Sequence, residues 1–131
     1  MSNTILVPIS IGELFDKISI LEIKSECITD QAKLANVNYE MQLLKKIATE
    51  LNIRDSVQVD ALFLKLKDVN TRIWKAEDKI RYCESQGLFD ECFLETARSI
   101  YQLNDARAAI KRELSVLSSS SIIEEKSYPG S

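Results

Sequence analysis

The chain has 131 residues, a length typical of one domain, and a formal net charge of −3 at pH 7. Apolar residues make up 45% of it and charged residues 28%, the ordinary mixture of a globular protein. It contains no histidine, so Ser-His-Asp catalysis, Cys-His catalysis and every histidine-ligated metal site are excluded. Its three glycines stand too far apart for a G-x-G-x-x-G fingerprint or a P-loop.

The charge, the cysteines and the apolar segments also restrict the compartment and the partners. A net charge of −3 disfavours a nucleic-acid-binding domain. The three cysteines are widely spaced and form no C-x-x-C pair, so they predict neither a disulfide framework nor a zinc site. The first residues lack the basic region of a signal peptide, and no stretch reaches the ~20 apolar residues of a membrane span. We therefore expect a cytoplasmic protein with no cofactor, no metal and no membrane-spanning segment.

The first predicted helix covers residues 11–27 and follows an extended lead-in over residues 1–9, for which one short β-strand is an alternative. Ser10 and Glu13 match a capping box, in which the Ser10 hydroxyl accepts from the Glu13 amide and the Glu13 carboxylate accepts from the Ser10 amide. A helix that is apolar on two faces lies at the centre of its domain or in an oligomer interface. The first helix has two such stripes, Ile11, Leu14, Ile18, Leu21 and Ile28 on one face and Ile20, Ile23 and Cys27 on the other.

The second and third predicted helices each carry one apolar stripe with alternating spacings of three and four residues, which is typical of coiled-coil packing. The second begins after Thr29 or Asp30 and ends near Asn52. The third runs from about Ser56 to Gly87, a residue type that commonly ends helices. Because only a short link joins the two, we expect them to form a long antiparallel hairpin with coiled-coil-like packing.

The fourth predicted helix begins after Asp90 and ends at about Leu117, and residues 118–131 form a C-terminal tail. The sequence shows no internal repeat and no domain boundary. The predicted fold is therefore a single all-α domain over residues 1–131. Its architecture is an antiparallel four-helix bundle with a long coiled-coil-like helical hairpin and a short extended N-terminal segment.

Glu13 and Asp16 form an E-x-x-D pair on the first helix. All-helical nucleotide pyrophosphohydrolases bind Mg²⁺ with such pairs on neighbouring helices, because hard cations prefer several oxygen ligands. The second helix supplies only Glu40 and Glu50, so the second pair is missing. A magnesium-dependent hydrolase is therefore the weakest functional hypothesis.

The charged residues of the first helix lie between its two apolar stripes, where some of them must lose contact with water. A buried charge needs a partner of opposite sign. The fourth helix offers Arg107, whose guanidinium can bind Asp16 or Glu22 through two parallel hydrogen bonds. Two interpretations stay open, an ion-pair network that fixes the helix register or a polar pocket for a small anionic or sugar-like ligand. The candidate residues are Glu13, Asp16, Lys17, Glu22, Lys24, Arg98, Asn104, Arg107 and Lys111.

Residues 8–24 have the sequence PISIGELFDKISILEIK, and this stretch resembles a family of small all-helical bacterial and phage proteins of unknown function. The segment that begins at Trp74 and residues 97–107 also match it, so the resemblance covers nearly the whole chain. It implies an all-helical fold but no activity. Similar proteins are often encoded near genes for cell-surface polysaccharide synthesis, which implies a metabolic context.

From the sequence we expect a helical interaction or scaffold protein that is not an enzyme. It would form a homodimer through the two-faced first helix and the long hairpin. The alternative is a small enzyme or ligand-binding protein of nucleotide-sugar or polysaccharide metabolism. Its pocket would use Asp16, Lys17, Glu22, Arg107 and Lys111. The sequence assigns no catalytic residue.

Overall fold

The computed structural model describes residues 3–51, 53 and 56–127. Four helices follow one another along the chain: α1 (Ile11–Cys27), α2 (Gln31–Glu50), α3 (Ser56–Ser85) and α4 (Glu91–Leu117). Within the described residues there is no strand, and the predicted all-α fold is confirmed. Residues 3–9 are exposed and outside the helices, so the alternative of a β-strand is wrong. The predicted helix end near Asn52, residues 1–2 of the lead-in and residues 128–131 of the tail lie outside the described residues.

Predicted capping residues lie at the starts of α2 and α4 and just after the end of α3. Asp30 and Asp90 are the N-caps of α2 and α4, and their carboxylates accept from backbone amides three residues further on. After α3, Gly87 adopts a φ of +67°, a left-handed conformation that costs glycine little. At α1 only half of the predicted capping box is present. The Ser10 hydroxyl accepts from the Glu13 amide at 3.0 Å, but the Glu13 carboxylate binds Lys111 instead.

α1 is the central helix of the fold. It packs against each of the other three helices. All five residues of the predicted apolar stripe that begins at Ile11 are buried or half-buried. On the opposite face Ile23 is buried, whereas Cys27 is exposed. A helix with two apolar faces was predicted to lie either at the centre of its domain or in an oligomer interface, and α1 lies at the centre.

The predicted pairing of the second and third helices is wrong. No Cα atom of α2 comes within 8 Å of α3 or α4, and α2 packs on α1 alone. The long hairpin is formed by α3 and α4, which have the most extensive contact of any two helices. The 3-4 spacing shows that a helix has one apolar seam but does not identify the helix that covers it. The coiled-coil-like character of the long hairpin stays a prediction.

The apolar core lies where α1 enters the α3–α4 hairpin. Leu66 of α3 and Leu114 of α4 are fully buried there together with Val59. Phe15 of α1 packs against this cluster and meets Phe63 edge to face, with the ring centroids 6.0 Å apart. The core thus fixes the N-terminal half of α1 against the C-terminal half of α4, which positions the charged residues described below.

α1 and α4 approach each other closely at Gly12. A Cβ atom at residue 12 would overlap the backbone carbonyl oxygen of Lys111 and lie 2.7 Å from the Ser115 hydroxyl. The absence of a side chain lets the Gly12 amide donate to Ser115 Oγ at 2.8 Å, and the Ile11 amide donates to Ser120 Oγ at 3.1 Å. With the Ser10 cap, three serine hydroxyls therefore satisfy the first amides of α1.

We expect Gly12→Ala to lower the free energy of unfolding by about 2 kcal/mol, because the added methyl group forces α1 away from the α4 backbone. Urea denaturation followed by circular dichroism measures the change. The control is Gly87→Asn, where no atom lies within 4 Å of an added Cβ and asparagine tolerates a positive φ. Equal stability of the Gly12→Ala variant and the native chain would contradict the close approach.

Candidate functional site

The centre of the site is the carboxylate of Asp16, which is only 1% exposed. Arg107 of α4 binds it with both ends of its guanidinium, at 2.9 Å from Nε to Oδ1 and 2.5 Å from Nη2 to Oδ2. Asn70 of α3 donates from Nδ2 to Asp16 Oδ1 at 2.9 Å. The hydrogen bonds that Arg107 donates to Asp16 raise the pKa of the Arg107 guanidinium above its ordinary value. One carboxylate on α1 thus connects α3 and α4.

Lys111 lies one turn beyond Arg107 and is surrounded by acidic side chains. Its Nζ is 2.6 Å from Glu13 Oε2, 2.9 Å from Glu124 Oε2 and 4.0 Å from Asp16 Oδ2. Burial alone would lower the pKa of Lys111, but the hydrogen bonds with Glu13 and Glu124 outweigh it and the pKa is raised. Lys111 therefore stays a cation within the cluster.

Glu124 belongs to the tail that follows α4. Its Oε1 accepts from the Ser10 hydroxyl at 2.7 Å while its Oε2 binds Lys111. Burial would raise the pKa of the Glu124 carboxyl, but the hydrogen bonds with Lys111 and Ser10 outweigh it and the pKa is lowered. Two further tail residues bind α4, Glu125 to Arg112 at 3.1 Å and Lys126 to Asp105 at 3.2 Å.

A cavity of about 630 Å³ lies between α4 and the tail. This volume is within the range of small-molecule sites, ~300–1,000 Å³. Its lining includes Arg107 and Lys111 of α4 and Glu124 of the tail. Four basic and three acidic side chains line it together with two uncharged polar ones. These are Arg107, Lys111, Arg112, Lys126, Asp105, Glu124, Glu125, Tyr101 and Asn104.

The structure distributes the candidate residues over three places. Glu13, Asp16, Arg107 and Lys111 form the cluster, which Lys17 joins at its edge, 3.7 Å from Glu13. Asn104 lines the cavity without a part in the cluster. The remaining candidates, Glu22, Lys24 and Arg98, lie elsewhere among the described residues.

Glu22 has its own set of partners on the other side of α1. Its carboxylate is 3.7 Å from Lys45 of α2 and 3.9 Å from Lys67 of α3. Lys67 also binds Glu26 at 2.8 Å, and this hydrogen bond raises the pKa of the Lys67 ammonium group. Arg107 accordingly pairs with Asp16 and not with Glu22. Lys24 is half-buried and Arg98 is exposed, and neither is brought into the Asp16 cluster.

The E-x-x-D pair faces cations of the protein itself. Glu13 binds Lys111 and Asp16 binds Arg107, so the positions next to these carboxylates are already occupied by positive charge. Among the described residues no group of three or more acidic or cysteine side chains is placed to hold a metal ion. The arrangement gives no support to the magnesium hypothesis.

Sequence reasoning missed several residues that contact the cluster or the start of α1. Asn70 and Ser19 are polar residues within apolar helix faces, and their buried hydrogen bond at 2.8 Å was not foreseen. A polar residue on an otherwise apolar stripe is the signal that could have identified Asn70. Glu124 and Ser120 lie in the tail, where no periodicity connects a residue with a helix.

Comparison with known proteins gives a family but no activity. The model of a family of unknown function (DUF6165) matches residues 5–131. The chain belongs to this family. The resemblance to a family of unknown function is thereby confirmed, and the family match extends over α1 to α4 and the tail. No curated protein and no solved structure gives a significant match. None of the described helices is long and apolar enough to cross a membrane.

We expect Arg107→Ala to lower the free energy of unfolding by about 3 kcal/mol, because it leaves the buried Asp16 carboxylate without its main partner. The matched control is Arg72→Ala, which breaks an exposed Arg–Asp pair on α3 and should cost about 0–1 kcal/mol. Urea denaturation of both variants provides the comparison. Similar losses for the two variants would show that the buried pair has no special role.

Proposed function

We propose that the protein binds a small anionic, sugar-like ligand in the cavity between α4 and the tail. The observation that supports this proposal is a space of ligand size whose lining carries four basic side chains against three acidic ones. Arg107 is held in place by the buried Asp16 carboxylate and Lys111 by the half-buried Glu13 carboxylate, so both offer preorganised positive charge to a ligand. Preorganisation lowers the conformational entropy that binding would otherwise cost.

Two uncharged residues of the cavity favour a ligand with a sugar-like body. The Tyr101 side chain is 59% exposed and can pack its ring on the apolar face of a sugar ring. The Asn104 amide can both donate to and accept from hydroxyl groups. This chemistry agrees with the context of cell-surface polysaccharide synthesis that the family resemblance implies.

We propose binding rather than catalysis, because the acidic groups that line the cavity are engaged as partners of cations. Glu124 binds Lys111, Glu125 binds Arg112 and Asp105 binds Lys126. A general base needs a free lone pair aimed at the substrate. The proposal keeps the cytoplasmic location expected from the sequence, with which the free thiols of Cys27, Cys83 and Cys92 agree.

Isothermal titration with glucose 1-phosphate and with glucuronate tests this function, and uncharged glucose serves as the ligand control. We expect both anions to bind and Tyr101→Ala to weaken binding about tenfold, or roughly 1.4 kcal/mol. The matched protein control is Tyr82→Ala, which removes an equally exposed tyrosine from α3, outside the cavity. The proposed site would be contradicted if neither anion binds, or if the two tyrosine variants weaken binding equally.

A second candidate function is the homodimeric interaction protein expected from the sequence. The observation that favours it is the outer face of α2, which no other helix covers. Tyr39, Leu43 and Ile47 recur there every four residues and are all exposed. Exposed apolar patches of this kind commonly mark protein interfaces. The long α3–α4 hairpin would then act as the rigid part of a scaffold.

Light scattering tests the second candidate directly. We expect a mass near twice 14.9 kDa for the native chain and a monomer for Leu43→Glu. The matched control is Leu94→Glu on α4, which places the same charge at an exposed leucine away from α2 and should leave the dimer intact. A native chain that is strictly monomeric would exclude this function.

A further inference from the structure

Of the three carboxylates around Lys111, that of Glu124 is the one whose side chain can move away most easily. It reaches Lys111 from the tail, whereas Glu13 and Asp16 are fixed on α1. Its side chain is 42% exposed, compared with 1% for Asp16. Glu124 is therefore the acidic group of this cluster that can leave without moving a helix.

The tail has attachments to the rest of the protein besides Glu124. The pairs of Glu125 with Arg112 and of Lys126 with Asp105 are exposed at both ends. Ion pairs in such positions contribute little stability, because water screens them and the long side chains lose conformational freedom. The tail is also held by Ile122 and Ile123, which are half-buried, and by the Ser120 hydroxyl, which donates to the Ile122 carbonyl at 2.7 Å. The Glu124 side chain can therefore move away from Lys111 while the path of the tail is kept.

The position that Glu124 occupies stabilises an oxyanion. Lys111 Nζ lies 2.9 Å from one of its oxygens, and the Ser10 hydroxyl donates to the other at 2.7 Å. The backbone amides at the start of α1 are already bound by serine hydroxyls, so the anion is held by these two side chains rather than by the helix terminus. A carboxylate or phosphate oxygen of a ligand would make the same two contacts.

We propose that Glu124 occupies the subsite for the anionic group of the ligand, and that the ligand displaces the Glu124 side chain while the tail remains as a wall of the cavity. This inference rests on the proposed function, because it assumes that the adjacent cavity accepts an anionic ligand. The Glu124 carboxylate then acts as an internal competitor. The oxyanion of the ligand takes the place of the Glu124 carboxylate at Lys111 and Ser10, while the rest of the ligand lies in the cavity along α4.

Titration of glucose 1-phosphate and glucuronate into the native chain, Glu124→Ala and Glu125→Ala tests the inference. Both variants remove one negative charge from a residue that lines the cavity, but only Glu124 contacts Lys111. We expect Glu124→Ala to bind about tenfold more tightly than the native chain, because a competitor that fills the subsite most of the time is removed. Glu125→Ala should stay within about twofold of the native affinity.

The outcomes separate this inference from the function on which it rests. Binding by the native chain without a gain in Glu124→Ala, or with an equal gain in Glu125→Ala, would overturn the inference and leave the proposed function in place. Absence of binding by all three chains would overturn both. Glu124→Gln keeps the size of the side chain but removes its charge. We expect this variant also to bind the anions more tightly than the native chain, which would show that the gain does not come from lost packing. The relative affinities of the phosphate and the carboxylate probe show which oxyanion the subsite prefers.

Discussion

The Asp16 carboxylate is almost completely removed from water, and a charge in that position must be neutralised within the protein. Arg107 supplies the opposite charge and Asn70 a further hydrogen bond. Because these partners come from α4 and α3, the register of α1 against both helices is tied to one side chain. The apolar core around Leu66 and Leu114 provides the burial, and the charged pair selects the alignment.

The same constraint accounts for the position of the cavity. Glu13 and Asp16 draw Arg107 and Lys111 toward α1, so that these two cations border a space along α4 that no helix fills. The close approach at Gly12 brings the end of α4 to the start of α1. The chain that leaves α4 is thereby directed back over the cluster, where Glu124 completes the contacts of Lys111. The register of α1 and the position of the cavity therefore both follow from the ion pairs of Glu13 and Asp16 with α4.

Much of this fold could be predicted from local sequence. The caps and the apolar period predicted the bounds of α1 correctly. Helical spacing likewise placed Arg107 on a face of the fourth helix that could reach Asp16. The pairing of the helices could not be predicted, because a seam such as that of α2 does not specify its partner. The tail contacts of Ser120 and Glu124 were equally inaccessible, since they depend on the three-dimensional path of a segment without periodicity.

The central claim is that Asp16 and Arg107 act as one unit that aligns three helices, and a double-mutant cycle tests it most directly. Asp16→Ala, Arg107→Ala and the double variant are compared by urea denaturation. The account predicts a coupling energy of about 2 kcal/mol or more, because the double variant no longer contains an unpaired buried charge. Losses of the two single variants that simply add in the double variant would contradict it.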